Sequence, residues 1–323
     1  MKTMNIKQII PLLTFGIMCG CSSTEVIDDP RSTGGPSDVI SLSLLVPKAT
    51  TRADGTHTLR YNAVLFKKND KSGEFEAVQR KQMLEGSDGS TLVFEDVETG
   101  SYAINLFADY IPVGSVADEN GLYPDCYYDT SGTDDIKMKA FGSEIVNNDH
   151  FDCFATYVTL EKEEEELHQS ISLPRATAKV RVISTTLPQS GPMVVEITKL
   201  SPLMSYKIKT TTASDPYNYP TAEVDGGKWS VTPSDITSGE IFYFYTLASG
   251  KNREEGLSPL AFTIAADDLD PLSTEFNAGK IKVRQNYITT LSGAFVATPP
   301  ADPSTRTDRI VLDLFPESDW NAE

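Results

Sequence analysis

Histidine, tryptophan and cysteine are scarce: 3, 2 and 4 residues respectively in a chain of 323. Each scarcity closes off a chemistry. His57, His150 and His168 lie far apart with no His-Glu-x-x-His pairing, so a zinc-hydrolase centre is not expected. No Cys-x-x-Cys occurs, which removes the usual redox pair and zinc knuckle. Cations are short as well, with 28 Lys and Arg against 46 Asp and Glu and a net charge of -18. Nucleic acid and anionic lipid need gathered Lys and Arg, so neither is an expected partner. The nearest approach to a nucleophile elbow, Gly86-Ser-Asp-Gly89, has the spacing of a turn. No glycine-rich phosphate loop runs from a strand into a helix, and no cofactor is expected. Asp118-Glu-Asn-Gly121 and Asp267-Asp-Leu-Asp270 lack the spaced ligands of a calcium loop, so no metal site is expected either. Paired carboxylates for glycoside cleavage meet only in space, and among 46 acids some always lie close.

Long apolar runs are equally rare. Residues 9–18, after Lys2 and Lys7, are apolar but too short to span a bilayer as a helix, which reads as a cleaved export signal. That run reaches Met18-Cys19-Gly20-Cys21, and the small residue before Cys21 resembles the bacterial lipoprotein signal. The resemblance implies cleavage after residue 20 and fatty acylation of Cys21, with the outer membrane as the surface it anchors to. Residues 21–37 are polar and rich in Gly, Ser and Pro, so they are expected to form a flexible tether. Glu25, Asp28 and Asp29 resemble the acidic export tags of surface lipoproteins of Gram-negative anaerobes. If Cys19 leaves with the leader and Cys21 is acylated, Cys126 and Cys153 remain in an exported protein. A disulfide between them is the favoured reading, worth about 3 to 4 kcal/mol of loop closure, with two buried thiols as the alternative.

No segment shows a long helical period, whereas short alternating runs recur between Gly, Pro, Asn and Asp clusters. Strands are expected at 39–46, 59–66, 74–84, 91–94, 102–108 and 154–160, with a long irregular excursion at 109–152. The acidic stretch 161–166 reads as a solvated hinge or short exposed helix rather than a cation site. Further strands are expected at 171–183, 193–200, 228–231, 241–247, 260–265, 280–296 and 309–315. The pattern argues an all-β chain of two tandem β-sandwich domains, at 38–165 and 166–323. In Phe242-Tyr-Phe-Tyr245, period two puts the two Phe on one face and the two Tyr on the other. These Tyr, with Tyr123, Tyr127 and Tyr128 in the excursion and Trp229 and Trp320, are the aromatic groups that could stack on a sugar; the alternatives are packing between sheets for Tyr243 and Tyr245 and a structural staple around Cys126 for the excursion.

Three stretches together resemble the fimbrillin family of surface lipoproteins. They are Leu173-Pro-Arg-Ala-Thr-Ala-Lys-Val-Arg-Val182, Val283-Arg-Gln-Asn-Tyr-Ile-Thr-Thr-Leu-Ser-Gly293 and Thr51-Arg52-Ala53. The resemblance implies two transthyretin-like β-sandwich domains and a non-catalytic role as a pilus component, either anchor, accessory or tip, or as an adhesin. It further implies processing between Arg52 and Ala53, loss of the first strand with its inward Leu42, Leu44 and Val46, and replacement by a partner's strand. Expected partners are other fimbrial subunits or surface proteins, and a glycan or host receptor. After Phe315 the chain holds no further apolar donor strand, which favours an anchor or accessory role over self-polymerisation. The alternative reading is a glycan-binding surface lipoprotein of a polysaccharide-uptake system.

Overall fold

Alternation builds the first strand. In β1 (Ile40–Leu45), Ile40, Leu42 and Leu44 are buried while Ser43 and Leu45 face water, as a half-buried strand requires. The computed structural model describes residues 38–47, 55–86, 90–133, 135–139, 142–187, 191–202, 204–207, 227–232, 239–248, 255–257, 259–266, 270–296 and 311–316. The leader, the tether, Cys21, Arg52, Ala53 and Trp320 lie outside them.

Two sheets enclose the first core. One has the order β4-β1-β9, with β4 at Ser90–Phe94 and β9 at Leu167–Ser172. The other has the order β3-β2-β5-β8, with β2 at His57–Lys68, β3 at Phe75–Leu84, β5 at Gly100–Pro112 and β8 at Cys153–Lys162. Ile40, Leu42, Leu44, Leu65, Phe94, Ile104, Leu106, Phe154 and Ile171 pack between them in one cluster. The turn into β3 forms as its sequence requires. Asn69 accepts the Lys71 and Ser72 amides through its side chain, and Gly73 takes a φ of 72°. In β3 the register jumps from Gln79 to Ala77, so Val78 is bulged out at the sheet's edge and 49% exposed.

The excursion is more ordered than its composition suggests. The strand before it runs on to Pro112, and within it lie β6 (Tyr128–Asp129), β7 (Asp135–Met138) and 3-10 turns at Gly142–Ile145 and Asp149–Phe151. Strand β7 pairs with β6 and also with β12 (Ser205–Lys207), far along the chain.

Sheets of order β14-β10-β19-β20 and β13-β11-β16-β17 enclose the second core. The first contains β10 (Thr177–Ser184), β14 (Glu240–Leu247), β19 (Tyr287–Gly293) and β20 (Val311–Pro316). The second contains β11 (Met193–Lys199), β13 (Lys228–Val231), β16 (Leu260–Ala266) and β17 (Leu272–Phe276). A small pair joins β15 (Glu255–Gly256) to β18 (Lys282–Val283). Val180, Val182, Val195, Phe242, Phe244, Phe262 and Ile264 fill this core, which also takes in Tyr127, Tyr128, Phe151 and Cys153 of the excursion and its exit. The protein is therefore nearly all β with stacked sheets.

Two expected strands are each divided. Residues 280–296 break into β18 and β19, because Asn286 takes a φ of 66° between them. Residues 171–183 break at Pro174, where β9 ends in one sheet and β10 starts in another. Strand β9 follows the expected domain boundary at 165/166 in sequence but hydrogen-bonds to β1.

Candidate strand-exchange site and the polar layer behind it

Strand β1 is the middle strand of its sheet. It pairs antiparallel with β4, Ile40 opposite Phe94 and Leu44 opposite Ser90, and parallel with β9, Ile40 opposite Leu167 and Leu45 opposite Ser172. Its neighbours β4 and β9 have no ladder with each other. Three inward side chains, Ile40, Leu42 and Leu44, are 0%, 0% and 4% exposed, and Val46 is partly buried against the same cluster. Taking β1 away would uncover part of the core it shares with Leu92 and Phe94 of β4 and Ile171 of β9, and leave the backbone groups of β4 and β9 that faced it unpaired. The sequence expectation named Leu42, Leu44 and Val46. Ile40 belongs with them because it lies two positions before Leu42 on the same face.

The outer face of the β3-β2-β5-β8 sheet carries a polar stripe beneath the excursion. Arg60 on β2 sits opposite Asp109 on β5, and both are fully buried. The guanidinium donates from Nε to Asp109 Oδ1 at 2.9 Å and from Nη2 to Oδ2 at 2.8 Å, the two-pronged geometry that suits Arg to a carboxylate. Its remaining Nη1 donates to Asp125 Oδ1 at 2.8 Å and to the Tyr123 carbonyl at 3.1 Å. Burial pushes the Asp109 carboxyl up to about 6, against the pull of Arg60. For Arg60, burial opposes the charge, but Asp109 and Asp125 outweigh it and hold the guanidinium above its ordinary value. Beside them Arg80 donates to Asn62 Oδ1 and to both oxygens of Thr130, and the Tyr123 amide donates to Gln82 Oε1. Residues 123–130 are thus held down on the sheet by side chains from β2 and β3.

A second buried pair fixes the passage from β9 to β10. Arg175 donates from Nε to Asp152 Oδ2 at 2.7 Å, Thr177 donates to Asp152 Oδ1 at 2.6 Å, and the guanidinium stacks over the Phe154 ring. Ala155 N–H donates to the Pro174 carbonyl and Ala176 N–H to the Cys153 carbonyl, so this joint hangs on β8. Burial raises the Asp152 carboxyl even with Arg175 and Thr177 beside it.

The expected site residues fall as follows. Cys126 is half-buried and Cys153 fully buried, and both stand as free thiols in the structure. Burial pushes the Cys126 thiol up and the Cys153 thiol well up, away from the thiolate that disulfide exchange needs. Tyr127 and Tyr128 are buried, the Tyr128 hydroxyl donating to the Phe151 carbonyl. Lys179 Nζ lies 3.7 Å above the Tyr243 ring, and Tyr245 is buried with its hydroxyl donating to Asp149. These tyrosines serve packing and contacts within the chain. His57 and His150, remote in sequence, stack with ring centroids 3.5 Å apart, and His57 Nε2 is 3.0 Å from the Tyr127 hydroxyl. Sequence reasoning missed this cluster, since the partners are separated by most of the first sandwich. Among the described residues no group of three or more His, Cys, Asp or Glu is placed to hold a metal, and no helix is long and apolar enough to cross a membrane.

The profile of one family matches residues 36–312. The chain belongs to DUF6562, a family of unknown function. Among solved structures it is similar to a fimbrial assembly protein from Parabacteroides distasonis, at 16% identity over 86% of this chain and 99% of that one, with a TM-score of 0.43. It is likewise similar to the fimbrial anchor protein Mfa2 from Porphyromonas gingivalis, at 13% identity over 85% and 96%, TM-score 0.43. The tip fimbrial protein Mfa3 of the same organism gives 11% identity over 87% and 100%, TM-score 0.44. No curated protein matches the sequence.

Proposed function

We propose that this protein is a non-catalytic, lipid-anchored cell-surface component of a fimbrial or adhesive assembly, joined to its neighbours through replacement of β1. The observation that carries the reading is the place of β1: a middle strand with three buried apolar side chains, followed by a segment containing Arg52 and Ala53 before β2 begins. Cleavage there would leave β1 held by hydrogen bonds and burial alone, so a strand of the same alternation could take its position. Such pairing draws affinity from main-chain bonds and specificity from every second side chain. Strand β20 supports an anchor or accessory role, because it is already paired with β19 in its own sheet and is thereby committed. Until the 52–53 bond is cut, acylated Cys21 and the tether 21–37 would hold the body at the outer membrane; once β1 has left, the body is held through the partner's strand instead.

Protease shaving of intact cells, with mass spectrometry of the fragments around Arg52, tests the reading. We expect the body to be cut on intact cells and fragments with Ala53 at their amino end. Protection on intact cells together with cleavage after lysis would contradict surface exposure, and chains that always keep the 52–53 bond would contradict processing.

A further inference from the structure

The sheet edges of the first sandwich are not equally guarded. At β3 the Val78 bulge interrupts the ladder, and further along the strand Lys81 pairs with Glu95 at 3.8 Å. At β8 the start is occupied by Arg175 and Pro174, and Lys162 folds back at its end to donate to the Glu163 and Glu165 carbonyls. Strand β4 packs beside β3. Strand β9 has none of these devices. It is six residues long, with no bulge, no Pro and no Asp, Glu, Lys or Arg; His168 Nε2 lies 3.3 Å from Glu166 Oε1, and among the described residues its one ladder is with β1.

The direction of its backbone follows from two bonds. Leu167 N–H donates to the Val39 carbonyl at 3.0 Å and Leu173 N–H to the Leu45 carbonyl at 2.8 Å. With a two-residue period, 167, 169, 171 and 173 turn to β1, so His168, Ser170 and Ser172 turn their N–H and C=O groups to the open side. The side chains of all three are exposed, as is Gln169. Gln169 Nε2 lies 3.4 Å from the Ser170 carbonyl, near where the N–H of an added strand would sit.

The surroundings specify the charge of an added strand. Glu163, Glu164, Glu165 and Glu166 immediately precede β9, all exposed, on a turn that buried Lys162 holds through two carbonyls. We propose that the outer edge of β9 is a strand-addition site for an extended, alternating segment of a partner protein with cations at the end that meets this glutamate turn. Antiparallel pairing, the stronger arrangement, puts those cations at the carboxyl end of the partner segment. A second copy of this chain, with its net charge of -18, is disfavoured by repulsion. The site uses the face of β9 opposite β1, so it is available with β1 in place and does not depend on cleavage at Arg52.

The test uses the full, uncut chain and the peptide Thr-Val-Thr-Val-Thr-Val-Lys-Lys, with Thr-Val-Thr-Val-Thr-Val-Glu-Glu as control. Hydrogen exchange read by mass spectrometry should slow over Leu167–Ser172 with the lysine peptide alone, and the effect should fade with added salt. Ser170→Pro removes an outward N–H without touching the β1 ladder and should weaken binding about tenfold. Replacing Glu163, Glu164, Glu165 and Glu166 by Gln leaves the backbone intact and should weaken binding about fivefold. Circular dichroism checks both folds, and the Gln variant decides alone if Ser170→Pro unfolds. Unchanged exchange at β9, equal binding of the glutamate peptide, or self-association of the chain in sedimentation would each overturn the proposal.

Discussion

Arg60 and Asp109 occupy paired positions in a sheet where both faces are covered, and their charge is tolerated because every prong of the guanidinium has an acceptor. Removing the cation leaves a fully buried carboxylate without its counter-charge, so Arg60→Met should cost about 3 to 5 kcal/mol in denaturant unfolding. The pair also gives a pH signature. Asp109 titrates at about 6 in the folded chain against an ordinary 3.8. Between those values the folded state keeps a proton that the unfolded state has released, so this group's contribution to stability falls as pH rises through the window and is level above it. The difference in unfolding free energy between wild type and Asp109→Asn should therefore shift by about 2 kcal/mol between pH 4 and 6, to the disadvantage of the wild type. A flat difference would contradict the buried carboxyl. The two thiols are a further residue-scale check. Alkylation in denaturant without reductant should label both Cys126 and Cys153, whereas a disulfide would leave both unlabelled until reduced.

At the scale of the element, β1 carries most weight. Leu42 is fully buried at the centre of the strand, and Leu42→Ala should cost about 2 to 5 kcal/mol, whereas Ser43→Ala on the exposed face should change stability by less than about 0.5. Thermal melts of the two variants make the comparison. That inward set was legible in the sequence because alternation is a local signal: Leu42 and Leu44 follow from period two, and the turn at Asn69 and Gly73 from its own composition. The excursion was not legible. Its β6 and β7 are too short to show a period, and what holds it down is a pairing of Arg60 with acids 49 and 65 positions away. A signal existed in Arg60 and Asn62 on one face of β2 and Asn105 and Asp109 on one face of β5, two strands that each carry a polar stripe where a solvated or covered layer must lie. The placement of β9 escaped for a related reason. Pro174 interrupts what reads as one apolar run, and a parallel ladder to a strand more than a hundred residues earlier leaves no local trace.

For the whole molecule, the described residues gather their buried groups into two packed cores joined through the excursion and the Arg175 joint. The joint hangs on β8 through Cys153 and Ala155, so exchange of β1 should leave the second sandwich as it is; tryptophan fluorescence from Trp229 on β13 should not change when β1 leaves. The most direct measurement begins with the chain cut after Arg52 by a trypsin-like protease, to which a fluorescent peptide with the sequence of residues 39–46 is added. The account predicts that the cut chain takes up this peptide, that the uncut chain does not, and that a peptide with Asp in place of Leu42 fails with both. Equal behaviour of cut and uncut chains, or entry of the Asp peptide as readily as the native one, would contradict it.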